Sequence, residues 1–139
     1  MGQAVFRWVV EKRVLLQTLT GDYDVDEMRR QIPRFEAILQ EGIPSLYLII
    51  DQTGMTSFPK KFREPIQMME PLNRKYDVQW TIIITSNSMF RFFGSIVSNV
   101  FKVQFRAVAT LDNAYELIGR IEPTLTPLLY APLSQPDKV

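Results

Sequence analysis

The chain has 139 residues, of which 46% are hydrophobic and 12% aromatic, and this length and composition predict a single folded domain. With 16 basic and 15 acidic residues the net charge is +1, and no stretch concentrates Lys and Arg, which argues against a nucleic-acid partner. The sequence contains no cysteine and no histidine, so disulfides, thiol and imidazole catalysis, and zinc sites built from those side chains are excluded.

Two runs rich in β-forming residues open the chain, at 4–10 and 13–20, and only two charged residues separate them. They predict an N-terminal β-hairpin. Apolar residues at helical spacing then predict a helix over 25–41, with Asp24 as its N-cap because a carboxylate can accept from the free amides of the first turn. Pro33 lies inside this pattern and is expected to kink the helix.

The continuous apolar run LYLII, at 46–50, shows no alternation between apolar and polar residues. It predicts a central parallel strand that is covered on both faces. In parallel sheets, ligands and partners meet the loops at the carboxyl ends of the strands, so function is expected in the segment that follows. The predicted binding or regulatory residues are Asp51, Thr53, Gly54, Thr56, Ser57, Phe58, Lys60 and Lys61.

Asp51 has two open uses. It is a candidate functional carboxylate at a strand end, and it can also form a turn by accepting backbone hydrogen bonds from Thr53 and Gly54, which is the favoured interpretation. Thr56 and Ser57 are candidates for phosphorylation and for helix capping, and capping is favoured.

Lys60 and Lys61, with Arg63, stand at the start of the next predicted helix. Together with free backbone amides they can hold an anion, although such charges more often are only solvated. No nucleotide-binding fingerprint accompanies them.

A second helix is predicted over 59–76, bent at Pro65 and Pro71, with Met69 and Leu72 facing inward. A bent helix leaves gaps against a sheet, and methionine side chains adapt to irregular shapes. This favours an apolar pocket for a small ligand, lined by Met55, Phe58, Met68 and Met69.

Two further strands are predicted at 79–85 and 105–110. A third helix is expected between them, from 88 to about 101. Thr110 is predicted to cap a fourth helix over 111–121, with its apolar residues facing the sheet.

The predicted third helix carries three phenylalanines off its main apolar stripe, Phe90, Phe92 and Phe101. Such residues either lie under another element or form an interface, here a dimer interface. Residues 1–121 are expected to form the domain, and 122–139 a proline-rich, extended C-terminal tail. The leucines and the tyrosine of the tail are expected to lie against the body or a second subunit.

The order of elements predicts an α/β fold with a mixed, mostly parallel five-stranded sheet and about four helices. The segments YLIIDQTGM, WTIIITSNSMFRFF and FRAVATLDNAYELI resemble the STAS domain, the sulfate transporter and anti-sigma-factor antagonist fold, over about 5–121. In that family an Asp-Ser-Ser-Gly-like motif after the central strand carries a phosphorylatable serine. Asp51, Thr53 and Gly54 resemble the strand end, but the motif itself is missing, and Ser57 stands nearest to the acceptor position.

The resemblance implies a non-enzymatic interaction or regulatory module with a protein partner. The phenylalanines of the predicted third helix make a second copy of the chain one candidate for that partner. The alternative is a small-molecule or lipid-binding domain with an apolar pocket beside the second helix. No cofactor or metal site is predicted. Because no apolar run approaches the roughly 20 residues of a membrane-crossing helix, and the N-terminus lacks a secretory layout, we expect no membrane span and a cytoplasmic location.

Overall fold

The computed structural model of the protein describes residues 2–56, 63–86 and 104–130. No helix within these three ranges is both long enough and apolar enough to cross a bilayer. In chain order the elements are β1 (Gln3–Val10), β2 (Val14–Gly21), α1 (Val25–Leu39), β3 (Leu46–Met55), α2 (Arg63–Lys75), β4 (Val78–Ile84), β5 (Phe105–Val108), α3 (Leu111–Ile121), a 3-10 turn (Pro123–Leu125) and α4 (Thr126–Leu129). The third helix predicted over 88–101 lies outside the described residues.

The five strands form one sheet in the order β1-β2-β3-β4-β5. β1 and β2 are antiparallel, and the other neighbouring strands are parallel. The predicted α/β class, the mixed and mostly parallel sheet, and the N-terminal hairpin are confirmed. The hairpin turns without glycine because Lys12 takes a left-handed backbone conformation (φ 63°), and the Arg13 amide closes the turn by donating to the Val10 carbonyl at 2.9 Å.

The apolar run at the start of β3 is the interior of the sheet, as predicted. All five of its side chains are buried, and Ile49 has no exposed surface. Leu48 and Ile50 belong to the first core, which β3 shares with α1 and α2, whereas Tyr47 and Ile49 belong to the second core, which it shares with α3 and α4. A strand that contributes to two cores has no polar face, which explains why the sequence does not alternate.

Of the two helices on the first core, α1 begins at its predicted cap and α2 packs as expected, while the predicted start of α2 at 59 lies outside the described residues. The Asp24 side chain caps α1 by accepting from the Glu27 amide at 2.8 Å. Met69 and Leu72 of α2 are buried. Both α1 and α2 continue through an internal proline, so neither helix is broken by it.

Residues 123–129 are not extended, and the predicted conformation of this part of the tail is wrong. They form two short helical turns, each with a proline at its start, where the missing amide proton costs no hydrogen bond. Leu125 and Leu129, four positions apart, lie on one side and are buried in the second core, whereas Leu128 is half exposed. Tyr130 packs edge-on against Tyr115, with ring centroids 5.4 Å apart. Residues 131–139 lie outside the described ranges.

Candidate functional site

β3 continues well past its apolar run, to Met55. The extension pairs with β2, since Thr20 is opposite Gly54 and the Thr56 amide donates to the Gly21 carbonyl at 2.9 Å. Between the Thr18–Asp51 pair and the Thr20–Gly54 pair, β3 has one residue more than β2. This is a β-bulge, a feature that bends a strand and changes the direction of its side chains.

Asp51 holds the bulge in place. Its Oδ1 accepts from the Thr53 backbone amide at 2.9 Å and from the Thr53 hydroxyl at 2.6 Å. These hydrogen bonds form a turn, which is the favoured interpretation of Asp51 from the sequence. The donor is Thr53, and no bond from Gly54 accompanies it in the described structure. A role of Asp51 in binding stays a prediction.

Beyond the bulge the chain presents a short polar surface made of Thr53, Gly54 and Thr56, which we call the carboxyl edge. All three residues are exposed, while Met55 between them is buried in the first core. A side chain at Gly54 would put its Cβ 2.9 Å from Thr20 Cγ2 and 3.3 Å from the Leu19 carbonyl oxygen, so close pairing with β2 leaves little room for one. The carboxyl edge is therefore an ordered, hydrogen-bonded surface.

Ion pairs join α1 and α2, the two helices of the first core, at both of their ends. Near the carboxyl edge, Arg29 of α1 bridges Asp26 at 2.9 Å and Glu64 of α2 at 2.5 Å. At the opposite ends of the helices, Glu36 accepts from the Tyr76 hydroxyl at 2.7 Å and from the Lys75 ammonium at 3.0 Å. The Tyr76 hydrogen bond, and then the Lys75 bond, hold the pKa of Glu36 below its usual value.

Several predicted site residues lie outside the described ranges, and their roles stay predictions. They are Ser57, Phe58, Lys60 and Lys61 of the predicted loop, and Phe90, Phe92 and Phe101 of the predicted interface. The predicted apolar pocket also depends partly on undescribed residues. Met55 and Met69 are buried in the first core and Met68 is half buried.

A polar network at the amino end of the sheet was not predicted. Arg13 Nη2 donates to both carboxylate oxygens of Glu122, at 2.7 and 2.8 Å, and Arg13 Nε donates to the Ser45 carbonyl at 2.8 Å. The Tyr47 hydroxyl donates to Glu122 at 3.1 Å. Burial, together with the hydrogen bond to Glu122, raises the pKa of Tyr47 to about 12. The network fixes the end of α3 to β2 and β3, so its role is structural.

Metal binding needs several ligands that converge on one point. In the parts of the chain that the structure describes, no group of three or more acidic side chains is close enough to hold a metal ion. The carboxyl edge consists of hydroxyl and backbone groups, and the carboxylate of the neighbouring Asp51 already accepts two hydrogen bonds. This composition suits hydrogen bonding to another molecule.

No protein-family model matches the chain, and no curated protein matches its sequence. Among solved structures the chain is similar to an uncharacterised protein of the DUF3478 family with a SpoIIAA-like fold, from Shewanella loihica PV-4. The TM-score is 0.59 and the identity 13%, over 84% of this chain and 92% of that one. At this identity the likeness shows the fold, which is of the anti-sigma-factor antagonist type, and the predicted STAS-like fold is confirmed.

Proposed function

We propose that this chain is a non-enzymatic, STAS-like interaction module that binds a protein partner in the cytoplasm through the carboxyl edge of its sheet. The likeness to a SpoIIAA-like fold supports the STAS-like part of this proposal. The observation that carries the proposal is the bulged extension of β3, which places Thr53, Gly54 and Thr56 on the surface while the flanking backbone is fixed by hydrogen bonds.

A fixed surface favours binding for an energetic reason. Association costs the ordering of flexible groups, so a segment that is already ordered in the free protein loses less entropy on binding. Here the Asp51 carboxylate orders Thr53, and the Gly21 carbonyl orders Thr56. Gly54 pairs with Thr20 of β2 and has no side chain, so a partner can approach the backbone closely at this point.

The same composition argues for binding over catalysis. Covalent catalysis needs a nucleophile within hydrogen-bond reach of a general base. The sequence offers neither histidine nor cysteine, and the Asp51 oxygen beside the Thr53 hydroxyl also accepts from the Thr53 backbone amide, so both groups serve to hold a turn. Protein recognition requires only that the polar groups be accessible and fixed.

Site-specific photocrosslinking tests the proposal. A benzophenone amino acid is placed at Thr53 or Thr56 and, as a matched exposed control, at Glu11 in the hairpin turn at the other end of the sheet. We expect one defined crosslinked partner from Thr53 and Thr56, the same in independent preparations, and no such product from Glu11. Equal products from all three positions, or none from the carboxyl edge, would contradict the proposal.

We also propose that one partner is a second copy of the chain, bound through the helix predicted over 88–101. Light scattering over a range of concentrations, for the native chain and for Phe90→Asp, tests this part separately. A dimer that is lost in the variant supports it, and an unchanging monomer in both refutes it while leaving the carboxyl edge to be judged by crosslinking.

A further inference from the structure

β1 is the last strand on one side of the sheet, because in the described parts of the chain only β2 pairs with it. The backbone groups of an antiparallel strand point alternately to its neighbour and to its outer side. At the two ends of β2, the Arg13 and Gly21 carbonyls accept from β3, from the Tyr47 and Thr56 amides, both at 2.9 Å. Odd-numbered residues of β2 therefore direct their backbone groups to β3, and their partners in β1 direct theirs to the outer side. Those partners are Ala4, Phe6 and Trp8, opposite Leu19, Gln17 and Leu15.

The outer side of β1 is covered, although no strand among residues 2–56, 63–86 and 104–130 pairs with it. Ala4 and Trp8 are each 3% exposed, and Phe6 has no exposed surface. An unpaired strand edge pairs readily with another chain, and proteins protect such edges with charged side chains or with a covering element. β1 needs this protection, since its sequence QAVFRWVV consists mainly of valine and aromatic residues, which favour strands.

Arg34 of α1 makes a described contact with the outer side of β1. Its Nη1 donates to the outward carbonyl of Ala4 at 3.3 Å, and its Cζ lies 5.0 Å from the centroid of the Phe6 ring. Gln31, one turn earlier on α1, accepts from the same nitrogen at 3.3 Å, and Phe35 packs edge-on against Phe6 with centroids 5.6 Å apart. These contacts hold the guanidinium where a further strand would have to pair.

We propose that Arg34 keeps the outer side of β1 closed and so prevents β1 from pairing with β1 of a second copy of the chain. An approaching strand would have to displace Arg34 from the Ala4 carbonyl, or bury its charge. The contacts of Arg34 in the described structure are to a carbonyl, an amide oxygen and an aromatic ring, none of which supplies the negative charge that would offset such burial. Two identical antiparallel strands are self-complementary under two-fold symmetry, so a second copy is the partner that this edge fits.

Substitutions at two positions of α1 test the proposal. Arg34→Met removes the charge and the donor but keeps an unbranched side chain over Phe6, whereas Arg34→Lys keeps a charge and a donor. Arg30→Met is the matched control, because it removes the same charge from the same helix at a side chain that is 63% exposed and paired with Glu27. All variants are made in the Phe90→Asp chain, so that the dimer proposed for the third helix does not contribute.

Light scattering over a range of protein concentrations measures association, and amide hydrogen exchange locates it. For Arg34→Met we expect the mass to rise with concentration from that of one chain toward that of two. Exchange at the outward amides of Phe6 and Trp8 is expected to slow as the mass rises, whereas the Arg7 amide, which faces β2, is expected to be unchanged. Arg34→Lys and Arg30→Met are expected to keep the mass of one chain.

Thermal unfolding shows whether each variant is folded. If Arg34→Met does not fold, Arg34→Leu, which also lacks the charge and the donor, is measured with the same expectation. The proposal is overturned if the folded variant keeps the mass of one chain, or if Arg30→Met associates to the same extent. It is also overturned if association leaves exchange at Phe6 and Trp8 unchanged, since the new contact would then lie elsewhere. None of these results bears on the carboxyl edge, which crosslinking tests.

Discussion

Leu129→Ala tests whether the C-terminal helical turn belongs to the folding unit. Leu129 is 2% exposed and packs in the second core. Truncating a buried leucine removes the transfer free energy of its methyl and methylene groups and leaves a cavity, so we expect a loss of about 2–4 kcal/mol. Leu128 is 50% exposed and is the matched control; Leu128→Ala is expected to change stability by less than about 0.5 kcal/mol.

Urea unfolding measures both variants. Circular dichroism follows the whole fold, and tryptophan fluorescence follows both cores, because Trp8 is buried in the first core and Trp80 packs against the second. With a slope of about 1–3 kcal/mol per molar urea, the midpoint for Leu129→Ala is expected to fall by about 1 M or more. If Leu129→Ala unfolds at the same urea concentration as Leu128→Ala, the turn is not part of the folding unit, and the domain ends near 121 as the sequence predicted.

Three further outcomes are expected. Glu122→Gln removes the negative charge to which Arg13 and the Tyr47 hydroxyl donate, and we expect the free energy of unfolding in urea to fall by about 1–2 kcal/mol. A free energy of unfolding equal to that of the native chain would show that solvent screens the network. Thr110→Ala removes the cap of α3 and is expected to cost about 1 kcal/mol, whereas Thr110→Ser is expected to keep most of it; equal losses in the two variants would show that the hydroxyl does not act as the cap. Because the pKa values of Tyr23 and Tyr47 rise from 10.0 to about 12 in the folded chain, their contribution is complete below pH 10 and is lost as the pH rises to about 12, at up to about 1.4 kcal/mol per pH unit for each tyrosine. Tyr23→Phe is expected to flatten this decline in a pH series of melting curves, and an unchanged slope would argue against the raised pKa.

Features that depend on nearby residues could be predicted from the sequence. The buried strand was recognised because five consecutive apolar residues leave no solvated face, and Asp24 and Thr110 were recognised as caps because a short polar side chain precedes a helical pattern. In each case the interaction spans a few residues. The structure confirms both caps, with Asp24 and Thr110 each accepting from the amide three positions on.

Features that depend on distant residues could not be predicted. Arg13 and Glu122 are 109 positions apart, and nothing in the local sequence of either indicates the other. The bulge in β3 depends on register with β2, which a single segment does not contain. The tail was expected to be extended because its prolines break any long helix, but Pro123 and Pro127 stand where a short helical turn begins, and packing of Leu125 and Leu129 then stabilises those turns.

The two ends of the sheet have different physical roles in this fold. At the amino end, Arg13 and Glu122 join β2, β3 and the end of α3, so a substitution there removes a contact between distant parts of the chain. At the carboxyl edge, the side chains of Thr53 and Thr56 are exposed, and the bond from Thr56 to β2 is made by its backbone amide. Side chains at Thr56 can therefore vary without breaking the pairing that orders the edge, because the backbone bond does not depend on side-chain identity. The chemistry of this surface can thus change while the fold keeps its stability, which suits the binding role that we propose for the carboxyl edge.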